Sequence, residues 1–245
     1  MHDVPAGRFA AWATAWLADR CSFDEALDAL TGDRAHPVSG MPGTEGAMPL
    51  GQALVALRGL GERRLALALP VPGDVRGLPR VPGLTERALE AGEVAVGRAV
   101  ALVPQPLGTE VVSWTAFALT GAPLAAPPVE GTLRAASGAL DLAVGDAART
   151  LAALDLARWH PEVPALLTGL SRAVHPPGLP ADTDPLALSV LARAQRLARV
   201  LELAMSDAPG AAITTGQAAA RDEALRPLSD AVREALTAAY NAVPR

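Results

Sequence analysis

Arg64-Leu-Ala-Leu-Ala-Leu69 alternates residue by residue and stops at Pro70. A period of two over such a run is the pattern of a half-buried strand, and proline lacks the N–H that a further ladder bond would need. Two later stretches read the same way, Val94-Ala-Val-Gly-Arg-Ala-Val-Ala-Leu-Val103 and Val111-Val-Ser-Trp-Thr-Ala-Phe-Ala-Leu119. The connection Pro104-Gln-Pro-Leu-Gly108 is short enough to make those two an antiparallel hairpin. The expected sheet is therefore small and mainly antiparallel, with about three strands. Regular βαβ repeats are missing, so the expected class is α+β rather than a doubly wound fold.

Helices surround this sheet in sequence. From about Gly7 to Arg20 the apolar residues Phe9, Trp12, Ala13, Trp16 and Leu17 share one face. Ser22 and Glu25 have capping-box spacing ahead of Ala26, Leu27 and Leu30. Thr31 to Pro49 is rich in Gly and Pro without a period, and reads as a long loop before a third helix at about Leu50 to Leu60. A short helix around Thr85 to Ala91 ends at Gly92, a C-terminal cap. Beyond Pro128 nothing alternates. Helices are expected over Glu130 to Trp159 and Pro161 to Ala173, then a Pro-rich linker from His175 to Asp184. Asp184 followed by Pro185 marks a helix start that should run to about Asp207. A last helical region, Thr215 to Asn241, contains Pro227, which should kink or restart it. Residues 1–128 are the expected α+β region and 129–245 an all-helical region, the two packed separately or as one domain.

Composition excludes several chemistries. Half of the 245 residues are apolar, enough for a proper core. All basic side chains are arginine. A P-loop, a kinase site or Schiff-base chemistry each needs a lysine, so none is available here. A net charge of −5 argues against a nucleic-acid or anionic-membrane binder. Cys21 is the single cysteine, which rules out an internal disulfide and makes a reducing compartment the default. The N-terminus lacks a signal-peptide pattern, and the uncharged run Val111 to Val129 is interrupted by Gly121, Pro123, Pro127 and Pro128. The expected location is the cytoplasm, with no cofactor and no metal.

The most site-like segment is Pro70 to Gly83, which follows a strand and carries Asp74, Arg76 and Arg80. Its Pro-Gly pairs suit type II turns and should stiffen it. Two arginines on a rigid loop can grip a carboxylate or phosphate, with Asp74 orienting one of them; the alternative is a local Asp74–Arg76 ion pair in a structural turn. A secondary candidate is His160 with Glu162, although no second histidine stands at metal-ligand spacing. Gly40, Gly43 and Gly46 lack the preceding strand of a phosphate-cradling loop. Phe9, Trp12 and Trp16 are expected in the core first, and at a dimer contact second. Gly131, Gly138 and Gly145 recur every seven residues on one helix, where a closely packed backbone would ease their cost. Arg193, Arg196 and Arg199 form a basic stripe beside Glu202, expected as a solvated face.

Four segments carry a resemblance: Leu67-Ala-Leu-Pro-Val-Pro-Gly-Asp74, Ala88-Leu-Glu-Ala-Gly-Glu-Val-Ala-Val96, Ala153-Leu-Asp-Leu-Ala-Arg-Trp159 and Glu223-Ala-Leu-Arg-Pro-Leu228. They resemble a conserved hypothetical family of high-GC actinobacteria. The resemblance implies a bacterial cytoplasmic origin and transfers no catalytic residues. With no acid/base or metal constellation in sight, the expected function is a non-catalytic interaction or regulatory protein, self-associating through its helical half. A binder or enzyme for a small anionic ligand at Pro70 to Gly83 is the alternative.

Overall fold

The computed structural model describes residues 4–119, 132–153, 178–205 and 215–242. They fall into two compact units. One holds residues 4–119 together with 178–183, and the other holds the remaining described residues.

The first unit corrects the expected sheet. It contains one mixed sheet of six strands, in the order β2-β1-β6-β5-β4-β3, rather than a mainly antiparallel sheet of three. The strands are β1 (Pro37–Ser39), β2 (Ala47–Pro49), β3 (Ala66–Ala68), β4 (Val94–Val96), β5 (Val100–Leu107) and β6 (Val111–Ala118). The segment expected as a bare loop, Thr31 to Pro49, supplies β1 and β2. These pair antiparallel with each other, and β1 pairs parallel with β6 through Val38 and Trp114. Each of the two strands buries one side chain, Val38 or Met48, too short a signal for any period. Glycines at positive φ turn the chain between them, and at Gly40 a Cβ would stand 2.6 Å from the Ala116 carbonyl oxygen.

The second correction is that Val94 to Val103 is two strands, not one. Chain reversal at Gly97 to Ala99 makes β4 and β5 an antiparallel pair. What holds the reversal is Glu62, 1% exposed, whose carboxylate accepts the amides of Arg98 at 2.9 Å, Ala99 at 2.6 Å and Val100 at 3.2 Å. A Cβ on Gly97 would overlap that carboxylate, so any other residue there must displace it. The β5–β6 hairpin forms as expected, but β5 continues through Pro104 and Pro106 and turns at Gly108. Leu119 donates to the Ala99 carbonyl, so the odd-numbered residues of β5 bond to β6 and the even-numbered ones face away. Pro104 and Pro106 thus turn their donor-less nitrogens to the side where β4, paired only at Ala101 and Leu102, no longer reaches.

Four helices complete this unit: α1 (Pro5–Leu17), α2 (Phe23–Thr31), α3 (Leu50–Gly59) and α4 (Leu84–Ala91). Helix α1 begins with Pro5, whose missing N–H costs nothing at the first position, and Ala6 donates to Glu93 at 2.8 Å. Ser22 caps α2 through the Glu25 amide at 3.1 Å, as its spacing predicts. Gly92 closes α4 with a φ of 72°. Strand alternation sorts the sheet's faces. Leu84 and Ala88 of α4 pack with Ala68, Val94, Val96, Ala101 and Val103 on one face. Residues of opposite parity, including Leu102 and Trp114, face α1, where Phe9 meets the Trp114 ring at 5.0 Å. Phe9, Trp12 and Trp16 are therefore core, as first expected.

The second unit is helical, with α5 (Thr132–Ala153), α6 (Pro185–Met205) and α7 (Thr215–Asn241), and no strand occurs among its described residues. Asp184 caps α6 by accepting the Leu186 amide at 2.7 Å. Pro227 lies inside α7, which continues across it as one helix. The expected helix from Pro161 to Ala173 lies outside the described residues.

Candidate functional site

The loop from Pro70 to Gly83 is held by its own backbone before any side chain acts. Val71 and Asp74 exchange both amide-to-carbonyl bonds at 2.9 Å, and Gly73, Gly77 and Gly83 take positive φ. Leu78 and Val81 insert against the α4 side of the core, and a Cβ on Gly77 would press on that of Ala68 at 3.2 Å. The loop is pinned at its centre, and its charged residues are displayed from a fixed base.

On that base Asp74 and Arg76 come together. Both carboxylate oxygens are engaged, by Arg76 Nε at 2.9 Å and by a terminal guanidinium nitrogen at 2.8 Å, and the Arg76 amide adds a third bond at 3.2 Å. Asp74 is 19% exposed and Arg76 73%. One of the two guanidinium edges that can grip an anion in parallel bonds, the Nε side, is thus taken by the loop itself. Arg80 is exposed and stands outside the pair. His160 and Glu162 lie outside the described residues.

Sequence reasoning missed a second cluster in the same unit, at the C-terminal end of α1. The Arg58 guanidinium lies 3.9 Å from the Trp16 ring centroid and donates to the Trp16 carbonyl at 2.6 Å and to Asp19 at 3.0 Å. Beside it, residues 178–183 dock on the unit from far along the chain. The Trp12 indole nitrogen donates to the Gly178 carbonyl at 2.6 Å, Pro180 is buried, and Arg20 pairs with Asp182. The segment expected as a plain linker from His175 to Asp184 is in this part a packed element. Cys21 is half-buried at its edge. Burial pushes its thiol above the ordinary value of 9.0, Glu25 and Asp182 push the same way, and Arg20 opposes them. The aromatic stripe on α1 was the available signal; nothing local in sequence points to Asp182.

In the helical unit, Arg193 pairs with Asp141 of α5, and Gln195 of α6 donates to the Tyr240 hydroxyl of α7 at 3.3 Å. The α5 glycines do not mark a close helix crossing. A Cβ on Gly138 would meet nothing within 4 Å, and one on Gly145 only the Arg149 guanidinium at 3.5 Å. Ala135, Gly138, Ala139 and Leu142 are exposed together, Leu142 by 73%.

Residues 6–130 match the family described as Rv1486c-like protein, N-terminal domain, and residues 134–237 match its C-terminal domain. The chain belongs to the Rv1486c-like family. It is 30% identical to the uncharacterized protein Rv1486c of Mycobacterium tuberculosis over 98% of this chain and 96% of that protein. The uncharacterized protein ML1804 of Mycobacterium leprae is 26% identical over 98% of this chain and 97% of its own length. Membership bears out the resemblance to an actinobacterial family, and these names assign no activity. No solved structure matches the chain. No helix of the described residues is long and apolar enough to cross a membrane.

Proposed function

We propose that this chain is a non-catalytic interaction or regulatory protein of the cytoplasm, acting as a homodimer through its helical unit. The observation that carries this reading is Leu142, 73% exposed on α5 with Gly138 one turn before it and Gly145 one turn after. A large apolar side chain one turn after Gly138, where a Cβ would meet nothing within 4 Å, makes a knob beside a shallow hole. A partner helix fills such a face at little cost in side-chain ordering. Water gains nothing from it. A small anionic ligand at the Pro70 to Gly83 loop takes second place, because the Asp74 carboxylate already pairs with Arg76 along one bidentate edge and offsets its charge.

The test is sedimentation of the purified chain across the micromolar range. A dimer is expected, with an interface of at least about 1,000 Å² in total, and Leu142→Asp should turn it into a monomer. A wild-type chain that sediments as a monomer throughout overturns the reading.

A further inference from the structure

We propose that residues 178–183 are a resident peptide ligand of the α/β unit. The surface at the end of α1, built by Trp12 and Arg20, recognises a short acidic segment with a proline at its centre, and the chain's own segment closes that site in cis.

The recognition chemistry is set by three residues at every second position. Gly178 offers its carbonyl to the Trp12 indole, Pro180 is buried, and Asp182 presents a carboxylate to Arg20. Trp12 is only 6% exposed, so its indole N–H needs an acceptor whenever the site is closed. Arg20 stands where the peptide leaves the site and selects a negative charge. Thr183 then turns the segment back, its amide and hydroxyl both donating to the Pro180 carbonyl at 3.0 and 2.6 Å. The spacing of carbonyl, ring and carboxylate is thus a property of this peptide and matches two side chains that belong to a different part of the sequence.

The attachment is also built to release. Among the described residues it includes a hydrogen bond from Trp12, the buried Pro180 ring and an ion pair whose partners remain 23% and 42% exposed. Segments with this much of their length exposed, here Gly178, Ala181 and Asp182, open well below the energy of global unfolding. Tethering keeps the site filled all the same, because a covalently linked ligand binds intramolecularly, at an effective concentration set by its linker. Opening exposes a site of the same chemistry to an acidic, proline-containing peptide in trans.

The test uses the full chain and a fluorescent peptide, Gly-Leu-Pro-Ala-Asp-Thr, followed by anisotropy. Wild type should bind it weakly. Asp182→Arg, which repels the chain's own segment from Arg20, should bind it about tenfold more tightly or better once the tethered competitor is removed. Arg20→Asp should reject that peptide and prefer Gly-Leu-Pro-Ala-Arg-Thr. The double variant Arg20→Asp with Asp182→Arg restores the internal pair and should return to weak binding of both peptides, which separates recognition from a folding defect. Equal affinity of wild type and Asp182→Arg for the acidic peptide overturns the proposal. So does restored closure on mixing the two single variants, since that places the segment on a second copy.

Discussion

Ala99 donates its amide to Glu62 at 2.6 Å across 37 positions of sequence, and this contact turns one apolar run into two strands. The carboxylate also takes the amides on either side of Ala99, so three donors at a tight reversal converge on one side chain. Removing it takes the side-chain acceptor from all three, the Val100 amide in a buried position and those of Arg98 and Ala99 in part-buried ones.

Glu62→Ala should therefore lower stability by roughly 1–3 kcal/mol, the cost of leaving one buried donor, the Val100 amide, without a partner. Gly97→Ala should be destabilising as well, because its Cβ would overlap the same carboxylate. Urea unfolding of both variants checks this. A loss below about 1 kcal/mol for Glu62→Ala would show that the reversal holds without its clasp.

Arg58→Ala should cost about 1–2 kcal/mol, combining the stacked guanidinium over Trp16 with its bond to the Trp16 carbonyl. Arg58→Lys should recover only part of that, because an ammonium offers no planar face to lie on the ring. The two variants are compared by the same unfolding measurement, and equal stability of Arg58→Lys and wild type would deny the planar stacking any share.

Cys21 gives a pH dependence whose sign follows from its raised pKa. The unfolded thiol ionises first as pH rises through 9.0, and the folded one only later. The native state binds the proton longer, so its contribution is fully present below pH 9.0 and fades as pH climbs through the folded value. Iodoacetamide should alkylate the native chain with a midpoint above that of the urea-unfolded chain. A native midpoint at or below the unfolded one would sink the assignment.

Leu142→Asp should leave folding stability within about 0.5 kcal/mol of wild type, because the side chain is exposed and its loss opens no cavity. Its effect should appear in association alone. Thermal melts at low concentration beside sedimentation at high concentration separate the two, and a large drop in melting temperature at every concentration would move Leu142 into the fold of its own unit.

Much of this was legible in the chain, and the failures share a cause. The strands around Leu67, Val94 and Trp114 alternate over enough residues to be seen, as does the capping of α2 by Ser22. β1 and β2 escape because Pro37 and Pro49 read as breakers and each strand buries a single side chain. Their place in the sheet comes from pairing with β6, more than sixty residues on. The split at Gly97 escapes because alternation persists through it while its cause, Glu62, sits before β3. The Asp74–Arg76 pair was visible, two residues apart. Trp12 and Gly178, separated by 166 positions, were not.

Pro104 and Pro106 bear on how molecules of this kind survive at high concentration. Past Leu102 the outer flank of β5 has no neighbouring strand, and such a flank ordinarily invites backbone pairing between molecules. The usual deterrent is lysine, which this chain does not possess. Two prolines whose nitrogens face outward serve instead, by withholding the donors that an incoming strand would need. A meeting of two copies along this flank is thereby diverted from open-ended ladder growth toward side-chain surfaces, which can saturate and stop.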